Sequence, residues 1–397
     1  MKRRALIVVL AACGGGGTSE HNAPADASPD AFVRRGTGAF APQMLVEVGN
    51  WPSFVRAADL DRDGHIDLLV YTSRGLELLR GRGDGTFADP TIQVISRHGS
   101  TQFKDVDADG IQDLVISNGE QATLSVLRGV GDGTFAPAED YPVGSPPPTT
   151  ATYGAALAVV DVDGDHHLDV VVLRSYDHQL GFLRNNGDGT LAPPIFTQLT
   201  GGGDVLAADL LGDGTSELVA VESSGRAWSY DGSGHFTGGP EFSAGGYPAV
   251  TSADIDGDGA EDLIFGVPGS ALDVAATHAS IKLSNRDLTF RPGPLDQPAC
   301  MWSPHAVAVG QLDADDRLDI VYADETHENA AVILNHPDGS LSCDTYPIGR
   351  HALGIAIADF NEDGAADLAA ANFEADRPGE HASFDPGHTV SVLLGIP

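Results

Sequence analysis

Positive charge is scarce in this 397-residue chain: 22 Lys and Arg stand against 57 Asp and Glu, a formal net charge of −35 at pH 7. That balance excludes nucleic acid as a partner, because a phosphate backbone calls for a basic surface. Long apolar runs are missing as well. The clearest, Ala5 to Ala12, falls well short of the roughly 20 apolar residues a membrane-spanning helix needs. No nucleophile elbow and no phosphate-binding glycine loop occurs, and none of the 14 histidines shows metal-ligand spacing or a Ser/Asp partner in sequence. No catalytic constellation is therefore expected. Cysteine is limited to Cys13, Cys300 and Cys343. What remains is not a disordered acidic chain, since 42% of the residues are hydrophobic and many fall in β-patterned runs.

The N-terminus reads as an export signal. Met1-Lys2-Arg3-Arg4 is a basic start, Ala5 to Ala12 an apolar centre, and such segments are removed rather than folded. The run ends in Leu10-Ala11-Ala12-Cys13, which resembles the bacterial lipoprotein cleavage box; the alternative is an ordinary secretory signal that carries a cysteine. On the first reading residues 1–12 are the signal peptide, Cys13 takes the lipid, and several acyl chains give stable anchoring. Residues 13–35 are rich in Gly, Ala, Pro, Ser and Asp and read as a flexible tether. The expected location is the cell envelope, at the outer membrane or cell surface, with the lipid as sole membrane contact. Cys300 and Cys343 then remain as an even pair in an oxidising compartment, either bridged or two unrelated thiols.

The carboxylates are concentrated in a repeat. The pattern D-x-D-x-D-G-x-x-D begins at residues 59, 105, 161, 209, 254, 311 and 359, an average period of 50. It is intact at Asp59, Asp61, Asp63 and Asp67; at Asp105, Asp107, Asp109 and Asp113; and at Asp254, Asp256, Asp258 and Asp262. The third copy, Asp161, Asp163, Asp165 and Asp169, has His166 in the Gly place, and the seventh, Asp359, Asn361, Asp363 and Asp367, has one amide. Two copies are weaker. The fourth keeps Asp209, Asp213 and Glu217 around Leu211; the sixth has Gln311 ahead of Asp313, Asp315 and Asp319.

A small-residue strand precedes each loop and a β-rich strand follows it, as Leu68 to Tyr71 or Val170 to Leu173. A third strand then runs into a turn such as Gly83-Asp84-Gly85 or Gly131-Asp132-Gly133, where Asp-Gly supplies the positive φ of a tight hairpin. A fourth strand leads to the next copy. Four short antiparallel strands per repeat make a propeller blade. The last copy stops after its third strand, while a turn without a preceding strand, Gly36 to Pro42, occurs at the other end. Residues 36–397 are therefore expected to form one all-β, seven-bladed propeller, closed by its N-terminal strand.

This repeat resembles the FG-GAP or VCBS type and is similar to the calcium-binding blades of integrin α-subunits. The resemblance implies a Ca²⁺ in each intact loop, about five sites and at most seven. The chemistry agrees: Ca²⁺ takes six to eight oxygens, and acids at positions 1, 3, 5 and 9 can turn inward together. The carbonyl of position 7 (His65, Ile111, His167, Ala260 or Ala365) completes the shell. Leu211 cannot ligate and Gln311 is a poor first ligand, so blades 4 and 6 are the weak sites.

Arg82-Gly83-Asp84 spells an attachment tripeptide but falls where every blade has its turn. The stereotyped loops share one face. Longer insertions, expected at 136–154, 267–280, 291–304, 323–330 and 372–388, share the other, and variable loops on a rigid scaffold commonly carry binding. Trp51, Tyr153, Tyr247 and Trp302 enter that face beside His98, Arg350 and His351. The leading expectation is a monomeric binding or adhesion module for a protein or glycan. The alternative is a calcium-dependent, lyase-like polysaccharide enzyme, hinted at only by the Arg350/His351 pair.

Overall fold

The computed structural model describes residues 9–10, 36–93, 99–119, 121–146, 155–174, 177–198, 203–221, 224–232, 236–244, 249–267, 278–296, 304–324, 328–374 and 386–397. Seven antiparallel sheets follow one another along the chain, each ordered as a four-strand meander. Blade 1 is typical: Phe54–Ala58, Asp67–Thr72, Gly75–Leu79 and Thr91–Gln93, from the axis outwards. Burial follows that order. The second strand reads Leu68, Leu69, Val70 without a polar break and is buried at every residue but half-buried Tyr71, while the outer strand is largely exposed. Unbroken β-branched and leucine runs of this kind suit strands covered on both faces.

The core lies between blades rather than within them. Seven clusters of buried apolar residues each combine side chains of two adjacent blades, one for every boundary of the ring. Alanines recur on the inner strands, as Ala57, Ala158, Ala207, Ala308 and Ala356, and are nearly inaccessible. Larger side chains there would meet the neighbouring inner strand. Gly354 shows how close the approach is, because a Cβ added to it would lie 3.1 Å from the backbone nitrogen of Val55.

Ring closure follows the expected route. Met44–Glu47 pairs with Pro386–Leu393, Met44 opposite Val392 and Glu47 opposite Thr389. The bridge Phe40–Gly395 repeats Gly81–Phe87, Gly129–Phe135 and Asn185–Leu191. The chain is thus divided within one outer turn, and seven hydrogen-bonded blades result. Val9–Leu10 adds two residues against Ala356 and Ile357 on the inner edge of blade 7. Among the described residues none of the other six blades has a strand at that edge.

Two details differ from the sequence expectation. The supposed insertions are shorter, because strands extend into them: Glu139–Pro142, Phe290–Asp296 and the ends of Asp319–Asp324, Asn329–Asn335 and Asp367–Glu374 occupy parts of those ranges. The outer strand of blade 4 is also broken, into Phe236–Gly238 and Phe242–Ser243, both paired with Ser224–Tyr230. No helix among the described residues is long and apolar enough to cross a membrane.

Candidate metal centres

The Asp loops all connect the first and second strands and therefore share one face of the ring. In six of them the backbone at positions 4 and 6 is left-handed: Arg62 and Gly64, Ala108 and Gly110, Gly164 and His166, Gly212 and Gly214, Gly257 and Gly259, Glu362 and Gly364. Those two reversals wind the chain round the first carboxylate. Asp254 shows the result, with Oδ1 accepting from Gly257 and Asp258 N–H at 2.7 and 3.0 Å and Oδ2 from Gly259 N–H at 2.9 Å. Positions 3 and 5 form short Asx turns, as Asp107 with Asp109 N–H and Asp109 with Ile111 N–H.

Four loops gather their acids closely. One carboxylate oxygen from each of Asp59, Asp61 and Asp67 lies within 4.8 Å of the others, and the same holds for Asp105/Asp107/Asp113, Asp161/Asp163/Asp169 and Asp254/Asp256/Asp262. These sets could hold a metal ion. The donors are all hard carboxylate oxygens, the type that suits Ca²⁺, Mg²⁺ or Mn²⁺. One atom of these sets lacks a partner among the described residues: Asp59 Oδ1 is buried and unbonded, which is costly for a charged group unless a cation meets it. Burial also raises the carboxyls of Asp59, Asp105 and Asp359 above the usual range, with neighbouring acids adding to the rise. In blade 7 the Asn361 amide lies 3.0 Å from Asp363 Oδ2, and its oxygen receives Asp363 N–H.

The acid at position 9 proves to have a second task that spacing did not reveal. Asp67 accepts Leu60 N–H at 3.0 Å on one oxygen and Gly81 N–H at 2.9 Å on the other. Asp113, Asp169, Asp262, Asp319 and Asp367 repeat this clamp between the loop and the end of the third strand. Glu217 makes the loop half, to Leu210 and Leu211 N–H. Burial pushes these carboxyls up, Asp67 and Asp113 to about 6 and Asp169, Glu217, Asp262, Asp319 and Asp367 to about 7, against the lowering effect of the donated N–H groups.

Arginines form another part of the loops that the motif left out. Arg80 Nε lies 2.7 Å from Asp61, Arg128 2.5 Å from Asp107, Arg184 2.6 Å from Asp163 and Arg291 2.7 Å from Asp256. Each leaves the other oxygen of position 3 for the loop interior. Three of them were legible as a recurrence after the third strand: Leu79-Arg80-Gly81, Leu127-Arg128-Gly129 and Leu183-Arg184-Asn185.

Loops are also stapled to the next blade through the carbonyl of position 2. Leu60 O receives Gly133 N–H, Val106 O the Asn185 amide, Leu210 O the Ser284 hydroxyl, Ile255 O the Asn335 amide, Leu312 O Gly38 N–H and Phe360 O Gly85 N–H. The Gly-Asp-Gly turns are consequently committed. Asp84 accepts both the N–H and the hydroxyl of Thr86, and Arg82 donates to Phe87 O, so the Arg-Gly-Asp tripeptide is turn structure.

One histidine does meet a metal-type cluster, contrary to the sequence reading: His336 converges with Asp313 and Asp315 in blade 6. No spacing signal could have shown it, because 20 residues and two strands separate His336 from Asp315. Cys343 is disulfide-bonded; Cys300, its expected partner, lies outside the described residues, as do Cys13, His98, Tyr153, Tyr247 and Trp302. On the opposite face three expected residues are described. Trp51 is 46% exposed and His351 packs its ring 5.7 Å from Phe373. Arg350 pairs with Glu328 at 3.2 Å.

The FG-GAP-like repeat family matches residues 59–103, 105–172 and 161–220. No curated protein matches the chain by sequence. Among solved structures, the chain is similar to an Agrocybe aegerita lectin that specifically recognises non-reducing terminal N-acetylglucosamine, at 20% identity over 94% of this chain and 96% of that one, TM-score 0.54. A protein from Lactobacillus plantarum is similar at 12% identity over 87% and 97%, TM-score 0.56. At these identities the likeness is one of fold. In geometry the chain is a seven-bladed β-propeller, and FG-GAP-like repeats are matched within residues 59–220 of it.

Proposed function

We propose that the protein is an exported, lipid-anchored binding module of the cell envelope, its Asp loops loaded with Ca²⁺ and its opposite face recognising a glycan. The calcium would be held by the acids at positions 1, 3, 5 and 9 of blades 1, 2, 3, 5 and 7, where it neutralises carboxylates that otherwise repel one another. Rigidity is its contribution, since four of these five loops are stapled to the next blade.

The observation that carries the recognition reading is Trp51. It is a large exposed aromatic held at φ 55, with its N–H bonded to Gly387 O at 2.8 Å. His351 has a similar left-handed backbone, φ 50, at the start of the neighbouring inner strand. Bulky residues are rarely kept in that conformation, and such strain concentrates at binding sites. An exposed ring also offers the flat apolar surface against which a sugar stacks. The lectin of similar fold supports a glycan over a protein ligand, and the Arg350–Glu328 pair leaves less for a lyase to use.

A glycan array with the purified soluble domain tests this. Retention of a glycan class in Ca²⁺, lost in chelator and in Trp51→Ala, is the expected result. Binding that survives Trp51→Ala, or none on the array, would reject the proposed face. For the anchor, Cys13→Ser should move the protein from membranes to a soluble fraction.

A further inference from the structure

We infer that blade 6 carries a site for a borderline divalent transition ion of the Zn²⁺ or Co²⁺ class, built from Asp313, Asp315 and His336 and distinct from the calcium-type loops. Three observations carry this. Donor atoms of the three side chains lie within 4.8 Å of one another, and all three are half-buried. The His336 Nε2 is fixed 2.9 Å from Ser342 Oγ, which leaves Nδ1 as the ligand atom. A ring oriented through its second nitrogen is the usual supporting arrangement of a metal-bound histidine. Finally, the arginine that meets position 3 in blades 1, 2, 3 and 5 has no counterpart: Leu334 occupies the place of Arg80, and among the described residues no arginine pairs with Asp313.

The backbone sets this loop apart as well. None of residues 311–319 is left-handed, and Gln311 stands where the other loops have the Asp that organises the winding. The acids of blade 6 are thus not wrapped round a common centre. They turn instead toward an imidazole supplied by the outer turn.

The donor set fits the ion. Two carboxylates and a neutral imidazole balance a divalent charge, and one nitrogen with two oxygens suits zinc and its neighbours better than calcium. Tetrahedral coordination places ligand atoms about 3.4 Å apart, so the half-buried side chains need close by at most about 1.4 Å. Three protein ligands leave a fourth position for water. The inference does not rest on the calcium reading, since it concerns the loop that departs from it.

The test is made on the purified folded protein in saturating Ca²⁺, which keeps the other loops filled. Titration with Co²⁺ should develop visible absorption that saturates at one equivalent and is abolished by one equivalent of Zn²⁺. His336→Ala should remove the band, and calorimetric Zn²⁺ affinity should fall at least 100-fold. Ser342→Ala, which only frees the ring, should weaken Zn²⁺ about 10-fold while leaving the melting temperature unchanged. Asp61→Asn in blade 1 should leave the Zn²⁺ equivalent intact. No Zn²⁺ or Co²⁺ binding in Ca²⁺, or the same binding in His336→Ala, would overturn the assignment.

Discussion

Blades 4 and 6 both depart from the repeat, and they do so in opposite ways. Blade 4 has lost an acid yet kept the winding. Gly212 and Gly214 are left-handed, and Asp209 still accepts the N–H groups of Gly212, Asp213 and Gly214 at 2.7, 3.1 and 2.9 Å. Blade 6 has kept Asp313, Asp315 and Asp319 and lost the winding. The conformation therefore depends on a carboxylate at position 1 and a residue at position 6 that tolerates positive φ, rather than on the number of acids. Asp316 stands at that sixth position. Blade 4 has protein support in place of an ion: half-buried Glu261 from blade 5 accepts Asp209 N–H at 3.0 Å and the Ser252 hydroxyl at 2.7 Å.

The largest expected effect comes from removing the ions that blades 1, 2, 3, 5 and 7 would hold. A ligand bound only by the native state stabilises by about 2.7 kcal/mol per site at a hundredfold excess over Kd. Chelator should therefore lower Tm by on the order of 10 °C, and unchanged melting would reject the calcium reading. The pH dependence should reverse sign as well. Without metal, the position-9 carboxyls, raised to about 6 or 7, bind more protons in the folded than in the unfolded chain. Stability in chelator is then highest near pH 4 and declines as pH rises towards 7. With Ca²⁺ the ionised form is the one held, so stability should rise over the same window.

The clamp at position 9 should be indifferent to which blade it serves. Asp319→Ala and Asp67→Ala each strand two buried N–H groups, at about 1–3 kcal/mol per group. Their costs measured by denaturant in chelator should agree closely, although only blade 1 has the wound loop. A cost confined to Asp67→Ala would mean that the clamp acts through metal. Restoring ligands should separate the weak blades further. Leu211→Asp alone should add one calorimetric Ca²⁺ equivalent, since its backbone is already wound. Gln311→Asp should add none until Asp316→Gly accompanies it.

Fold and blade count were legible because the repeat states them several times over: alternation of strand and loop, the period, and the divided turn at Phe40 and Gly395. The loop acids were legible for the same reason. Partners contributed by another strand were not. Asp67 looked like one more oxygen ligand because the donor at Gly81 lies beyond two strands. His336 was invisible since nothing in its neighbourhood marks it; only the return of the outer turn over the loop brings it to Asp313. Gln311 signalled weakness in blade 6, but the loss of winding depends on φ angles that residue type constrains only loosely, as His166 shows.

His166 gives the smallest and most local prediction. It occupies position 6 with φ 68, where the wound loops of five other blades have Gly at φ between 83 and 93. A non-glycine residue there costs about 1–2 kcal/mol, while Gly returns roughly 0.5–1 kcal/mol of that through the greater freedom of the unfolded chain. The imidazole contributes little in exchange, since it is 95% exposed and lies 3.8 Å from Asp161, a separation and exposure at which ion pairs have small effect. The N–H that matters, donated to Asp161 Oδ2 at 2.8 Å, is kept by any residue. His166→Gly should thus stabilise by about 0.5–1 kcal/mol, equally with Ca²⁺ and with chelator. Gly64→His is the reciprocal change, since a Cβ at Gly64 meets nothing within 4 Å and only the backbone cost is added. It should destabilise by a similar amount. If calorimetry finds His166→Gly destabilising as well, His166 makes a contact that outweighs its conformation; if Gly64→His costs nothing, the winding is less demanding at position 6 than the other five glycines indicate.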